Sequence, residues 1–156
     1  MTDKILIVIP SLEPDEKLVE LTGELKREGF SHILIVNDGS GPAYDDIFAR
    51  AVAEGDCRLL THSVNQGKGR AMKTAFNEFL LHPDGCEGVV TVDSDGQHRP
   101  ADIRKCCEAL LAHPDSLILG SRNFDEKGVP LKSSFGNKLT RKIFGFLSGI
   151  HIRDTQ

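Results

Sequence analysis

The chain has 156 residues, one domain's worth, and at that size about two-thirds of the unfolded surface can be buried. Apolar residues make up 39% and charged residues 27%, the balance of a globular chain and not of a disordered one. Nineteen Lys and Arg against 23 Asp and Glu give a net charge of −4, which argues against a nucleic acid partner, and with no Trp and one Tyr the chain has little to stack on bases.

In chain order, residues 5–9 form an uninterrupted apolar run, β-branched except for Leu6, that predicts a first strand. Residues 15–28 place Leu18, Leu21 and Leu25 on one helical stripe and stop at Gly29. A second strand is predicted over 33–36, followed by a helix over 42–54 that presents Ile47, Phe48 and Ala51 and ends at Gly55. Residues 58–60 predict a third strand, 69–81 a helix, and 89–92 a fourth strand. Residues 101–112 predict a helix with Pro100 at its start and Ile103, Cys107 and Leu110 on one face, and 117–119 a fifth strand. Strands alternating with helices predict an α/β fold, a mostly parallel sheet flanked by helices, with near-continuous apolar strands covered on both faces.

No linker or repeat divides the chain, so residues 1–156 are expected to form a single domain. The cysteines (Cys57, Cys86, Cys106, Cys107) have neither zinc spacing nor a Cys-x-x-Cys pair, which suits free thiols and a cytoplasmic setting. The 5–9 run is too short for a signal peptide's apolar segment, and nothing approaches the roughly 18 residues of a spanning helix.

In an open parallel sheet, ligands bind beyond the carboxyl ends of the strands. Polar and glycine residues gather there: Pro10-Ser11-Leu12-Glu13, Asn37-Asp38-Gly39-Ser40, Asp93-Ser94-Asp95-Gly96-Gln97 and Gly120-Ser121-Arg122. If 93–97 is extended, Asp93, Asp95 and Gln97 point one way and three oxygens converge, a set suited to Mg²⁺ or Mn²⁺. The same residues also suit an acidic loop capping the next helix, with His98 either a further ligand or a solvated side chain. Asn37 to Ser40 reads equally as a simple turn. Asn65-Gln66-Gly67-Lys68-Gly69-Arg70 offers glycines and two cations at a helix start, an anion-binding entry that lacks the spacing of a P-loop. Arg122 suits a phosphate clamp or an ordinary surface site.

Together, and in this order, these segments resemble the family 2 glycosyltransferases of GT-A fold, closest to the branch of dolichyl-phosphate mannose synthases and bacterial polyprenyl-phosphate glycosyltransferases. The resemblance runs from Ile7-Val8-Ile9-Pro10 through the Asn-Asp-Gly-Ser, Asn-Gln-Gly-Lys-Gly and Asp-Ser-Asp-Gly-Gln-His segments to Gly120-Ser121-Arg122. It implies that Pro10 and Leu12 line a nucleotide pocket, that Asp38 contacts base or ribose, and that Gly67 and Lys68 belong to the nucleotide site. Asp93, Asp95 and Gln97 would hold the ion on the diphosphate, and Arg122 would reach a donor or acceptor phosphate, which makes Asp95 and Arg122 the catalytic candidates. The family's Asn-Glu after Pro-x-x is replaced by Glu13 and Pro14, so Glu13 is the nearest substitute for that nucleoside contact and Asp15 the next.

The activity implied is inverting transfer of a sugar from a GDP- or UDP-sugar donor to a polyprenyl phosphate, an acceptor already anionic and needing no general base. A family member acting on a saccharide hydroxyl, a sugar-phosphate nucleotidyltransferase and an inert sugar-nucleotide-binding fragment are the alternatives. The nucleotidyltransferase would call for a Gly-x-Gly-rich loop after the first strand, where Pro10-Ser11-Leu12-Glu13 stands. Residues 130–153 hold five basic and no acidic side chains, leaving a net −9 on the rest. Leu139, Ile143, Phe146 and Leu147 beside Lys138, Arg141 and Lys142 have the composition of a basic amphipathic helix. The family points that helix at lipid phosphate and a peripheral site on the membrane's cytoplasmic face, and a core-packing helix is the other reading. Arg153-Asp154-Thr155-Gln156 looks like the start of the family's Asp-x-x-x-Gly-Phe segment, so 130–156 is expected to be an incomplete acceptor-side portion.

Overall fold

The computed structural model describes residues 2–120. The chain divides into two units, Met1–Ile118 and Leu119–Gln156, and the elements below belong to the first. Arg122 and the basic segment 130–156 lie outside the described residues.

After a short 3₁₀ turn at Thr2–Lys4 come β1 (Ile5–Ser11), α1 (Glu16–Arg27), β2 (Ile33–Asn37), α2 (Asp45–Gly55), β3 (Arg58–Thr61), α3 (Lys68–Leu81), β4 (Gly88–Thr91) and α4 (Pro100–Ala112). The four strands form one all-parallel sheet in the order β3-β2-β1-β4. Register is set by the period of two along each strand. Ile5, Ile7 and Ile9 of β1, with Ile33 and Ile35 of β2, enter one cluster with Leu18, Leu21 and Leu25 of α1, Phe48 of α2 and Ile103 of α4. Leu6, Val8, Leu34 and Val36 face the other way, onto Ala71 and Ala75 of α3. Every residue of β1 and β2 is buried, as a doubly covered strand requires. Burial of each such Leu or Ile contributes about 1.5–3 kcal/mol.

Four expectations are corrected. β1 does not stop before its proline. Ile7 and Ser11 turn their backbone groups to β2, accepting or donating with His32 and Asp38, while Val8 accepts from Val92 on the β4 side. Pro10 therefore turns its missing N–H toward the β4 side, beyond the last paired residue Thr91, where the ladder loses no bond. Second, Gly55 is not the stop of α2 but its last residue. A Cβ there would stand 2.5 Å from the Cys57 sulfur and 2.6 Å from Thr22 Cβ, so it is small because α1 and α2 pack closely; the left-handed residue is Asp56, at φ 52. At the end of α1, by contrast, Gly29 takes φ +84 and caps the helix, its N–H donating to Lys26 O while Phe30 N–H donates to Leu25 O.

Third, among the described residues β3 and β4 are the outer strands of the sheet and are only partly covered, unlike β1 and β2. Fourth, residues 117–119 form no strand. They follow a turn at the end of α4 closed by Ser116 N–H donating to His113 O, and Leu117 is 84% exposed. Three apolar residues supply too few ladder bonds to fix a strand by themselves. Among the described residues, no helix is long and apolar enough to cross a membrane.

Candidate active site

The order β3-β2-β1-β4 places a topological switch at β1: the chain leaves β1 for β2 on one side and returns as β4 on the other. A cleft of about 360 Å³ opens at that point, beyond the carboxyl ends of the strands. β1 supplies Pro10 and Ser11, followed by Leu12; the turn after β2 supplies Asp38. The entry to α3 adds Asn65, Gly67, Lys68 and Ala71, and the loop after β4 adds Asp93, Ser94 and Asp95.

The turn after β2 is held from both sides. Asn37 Oδ1 accepts the Ser40 N–H at 2.8 Å, and Ser40 Oγ accepts the Glu13 N–H at 2.9 Å, tying the β1 and β2 loops together. Gly39 sits at φ +78 with the 64–65 backbone pressed against it; a Cβ would stand 2.1 Å from the Val64 carbonyl carbon. Asp38 is 3% exposed. Its Oδ1 accepts from Gln66 N–H at 3.1 Å and lies 2.7 Å from His62 Nδ1. Burial pushes the Asp38 carboxyl up, but hydrogen bonds from His62, Gln66 and Gly67 together hold it below the usual carboxylate range.

α3 opens at Gly67, φ 89, whose N–H donates to Asn65 Oδ1 at 2.9 Å. Lys68 then reaches across to Asp93, Nζ to Oδ1 2.6 Å, joining the two walls. Both side chains are substantially exposed, so the pair itself adds little stability. The loop after β4 is not extended over 93–97 but turns at 94–96, with Gly96 at φ +73. Asp93 and Asp95 both line the cleft, whereas Gln97 donates to Asp95 twice, from its backbone N–H at 3.0 Å and its amide Nε2 at 2.8 Å. His98 Nδ1 accepts the Asp93 N–H at 3.4 Å.

Two carboxylates on one loop of a cleft fit a hard divalent ion, whose remaining positions water and phosphate oxygens can fill. Among the described residues, no group of three or more His, Cys, Asp or Glu converges as a metal cage. Asp93 and Asp95 are the donors the cleft offers, and Lys68 presents an ammonium to the first of them.

The structure brings Pro10, Leu12, Asp38, Gly67, Lys68, Asp93 and Asp95 to one cleft, while Glu13 takes φ 48 in the adjoining loop and does not line it. From the sequence, Ser11 and Asn65 enter only as members of their segments, and Ala71 and His62 not at all. Ser11 is 3% exposed and its Oγ has no hydrogen-bond partner among the described residues. His62 follows the last residue of β3, a strand end like those that carry the other site residues.

Residues 7–152 match the family model for glycosyl transferase family 2. The chain belongs to this family. Its all-parallel sheet flanked by helices is the Rossmann-like GT-A architecture of family 2. It is 32% identical over 99% of its length to an uncharacterised protein of Methanocaldococcus jannaschii. It is also 27% identical over its whole length to UDP-N-acetylglucosamine–dolichyl-phosphate N-acetylglucosaminyltransferase of Methanococcus voltae. A third relative is polyprenol monophosphomannose synthase of Mycolicibacterium smegmatis, 29% identical over 98% of the chain. This family 2 chain spans 62, 68 and 59% of those three proteins' lengths, respectively.

Proposed function

We propose that the chain carries the donor-binding part of a glycosyltransferase that moves a sugar from a nucleoside diphosphate to a polyprenyl or dolichyl phosphate. The observation that carries this reading is one cleft at the switch point, with a buried acceptor at Asp38, a cation at Lys68 and two carboxylates at Asp93 and Asp95, in a family 2 chain. The acceptor class follows from relatives whose names specify dolichyl phosphate and polyprenol monophosphomannose.

In this reading the nucleoside lies over Pro10 and Leu12, with Asp38 accepting from its base or ribose. While ionised, Asp38 only accepts, and the donors around it favour that form. The diphosphate lies between the start of α3 and the loop after β4, where Lys68 and the positive end of the helix meet negative charge. Asp93 and Asp95 would hold Mg²⁺ or Mn²⁺, which when bound supplies positive charge to the leaving nucleoside diphosphate. Gln97, by its two bonds to Asp95, orients that carboxylate. Arg122, outside the described residues, would be a contact to donor or acceptor phosphate on the family resemblance. Displacement at the anomeric carbon is direct and inverting, and a phosphate acceptor at neutral pH attacks without prior deprotonation. The basic residues of 130–153 would bring the chain to an anionic cytoplasmic membrane surface, each worth about 1 kcal/mol where they share a face.

UDP or GDP at a hundredfold excess over its Kd should stabilise the chain by about 2.7 kcal/mol, a rise of several degrees in Tm, with Mn²⁺ and not with EDTA. Asp95→Ala should abolish the rise while leaving the unliganded melt nearly unchanged. Equal stabilisation in EDTA would remove the ion from the reading. Transfer of labelled sugar to a short polyprenyl phosphate tests the acceptor, and labelling of saccharide hydroxyls alone overturns it.

A further inference from the structure

His62 enters the function proposed above only as one of the donors around Asp38, yet it is tied into the site at both ends. Its backbone N–H donates to Asn37 O at 2.9 Å, extending the β3 ladder by one residue to the position just before Asp38. Its side chain, 9% exposed, lies between Asp38 and α3: Nδ1 is 2.7 Å from Asp38 Oδ1 and Nε2 is 2.8 Å from Thr74 Oγ1. Thr74 stands three residues after Ala71, on the same side of α3, and Ala71 lines the cleft.

The chemistry of the three groups fixes the direction of the bonds. An ionised carboxylate only accepts, so Nδ1 carries the proton and donates to Asp38. In a neutral ring Nε2 then accepts the Thr74 hydroxyl proton; in an imidazolium Nε2 donates to the same oxygen. Because a hydroxyl does either, the link from Asp38 to α3 persists in both ring states. The carboxylate thereby loses its rotational freedom while still lining the cleft, and through Gln66 and Gly67 it also holds the backbone that leads to Lys68.

We propose that His62 is a positioning residue for nucleotide binding: bridging Asp38 and Thr74, it pre-sets the Asp38 carboxylate and the start of α3 against which the nucleotide docks. This rests on the nucleotide-binding reading of the cleft. Pre-set acceptors bind more tightly because their ordering is complete before the ligand arrives.

The test is calorimetric titration of UDP and of GDP, each with Mn²⁺, into the whole chain and three variants. His62→Leu removes both bonds at similar volume and should weaken binding roughly tenfold, the worth of one hydrogen bond to a charged group. His62→Asn places an amide N–H near the Nδ1 position and should recover most of the loss, a rescue that a space-filling role would not produce. Thr74→Val should weaken binding by a few-fold and also serves if His62→Leu fails to fold. A folded His62→Leu that binds as the wild type does, His62→Asn as weak as His62→Leu, or an unaffected Thr74→Val overturns the proposal and leaves the nucleotide reading standing. Failure of the wild type to bind either nucleotide overturns both.

Discussion

At Gly39 two demands fall on one residue, a left-handed φ of +78 and a gap that cannot admit a Cβ. Gly39→Ala should therefore cost at least about 2 kcal/mol in urea unfolding. Gly41, two residues on with φ −69 and nothing near its Cβ position, should tolerate alanine within about 0.5 kcal/mol. Loss at both positions to the same extent would mean that the turn as a whole, and not the approach of the 64–65 backbone, sets the requirement. Asp38 gives a prediction in pH. Its folded pKa is depressed, so its contribution is complete above the unfolded value of about 3.9 and disappears as pH falls through the lower folded value. The stability gap between wild type and Asp38→Asn should accordingly close as pH falls below about 4, read from urea midpoints. A gap that stays constant down to pH 2 would contradict a depressed carboxyl.

Helix α3 approaches the sheet through two alanines, Ala71 and Ala75, both 0% exposed against Leu6, Val8, Leu34 and Val36. Small side chains let the helix lie close, and its first turn then reaches the cleft. Ala75→Leu should destabilise by about 1–3 kcal/mol through overpacking, measurable by denaturant melts. No change there would mean that α3 sits more loosely than its burial suggests. Elements with strong periodicity were legible in the sequence: the stripe Leu18, Leu21, Leu25 fixed α1, and the β-branched runs fixed β1 and β2. Elements governed by tertiary contacts were not. Gly55 looked like a helix stop, although its smallness serves the contact between α1 and α2. Residues 117–119 had strand composition without a partner among the described residues, and composition cannot supply one.

At the scale of the molecule, the site was readable because a parallel sheet gathers its ligand-facing residues at strand ends, so position along the chain stands in for position in space. Pro10, Asp38, Asp93 and Asp95 could be picked that way. What His62 does could not be read that way, since it depends on which ring nitrogen meets which oxygen. The sheet order carries a further consequence. β1 alone neighbours both halves of the site, pairing with β2 on one side and β4 on the other, and it is wholly buried. The loops it leads to and lies beside face solvent at 12–13 and 95–97. In the proposed reading, preference for the donor is thus open to change in the loops at small cost to folding, while an altered side chain in β1 disturbs the strand that both walls share. The fold separates an interchangeable rim from an axle that holds it, and directed evolution of this chain should find its gains on the rim.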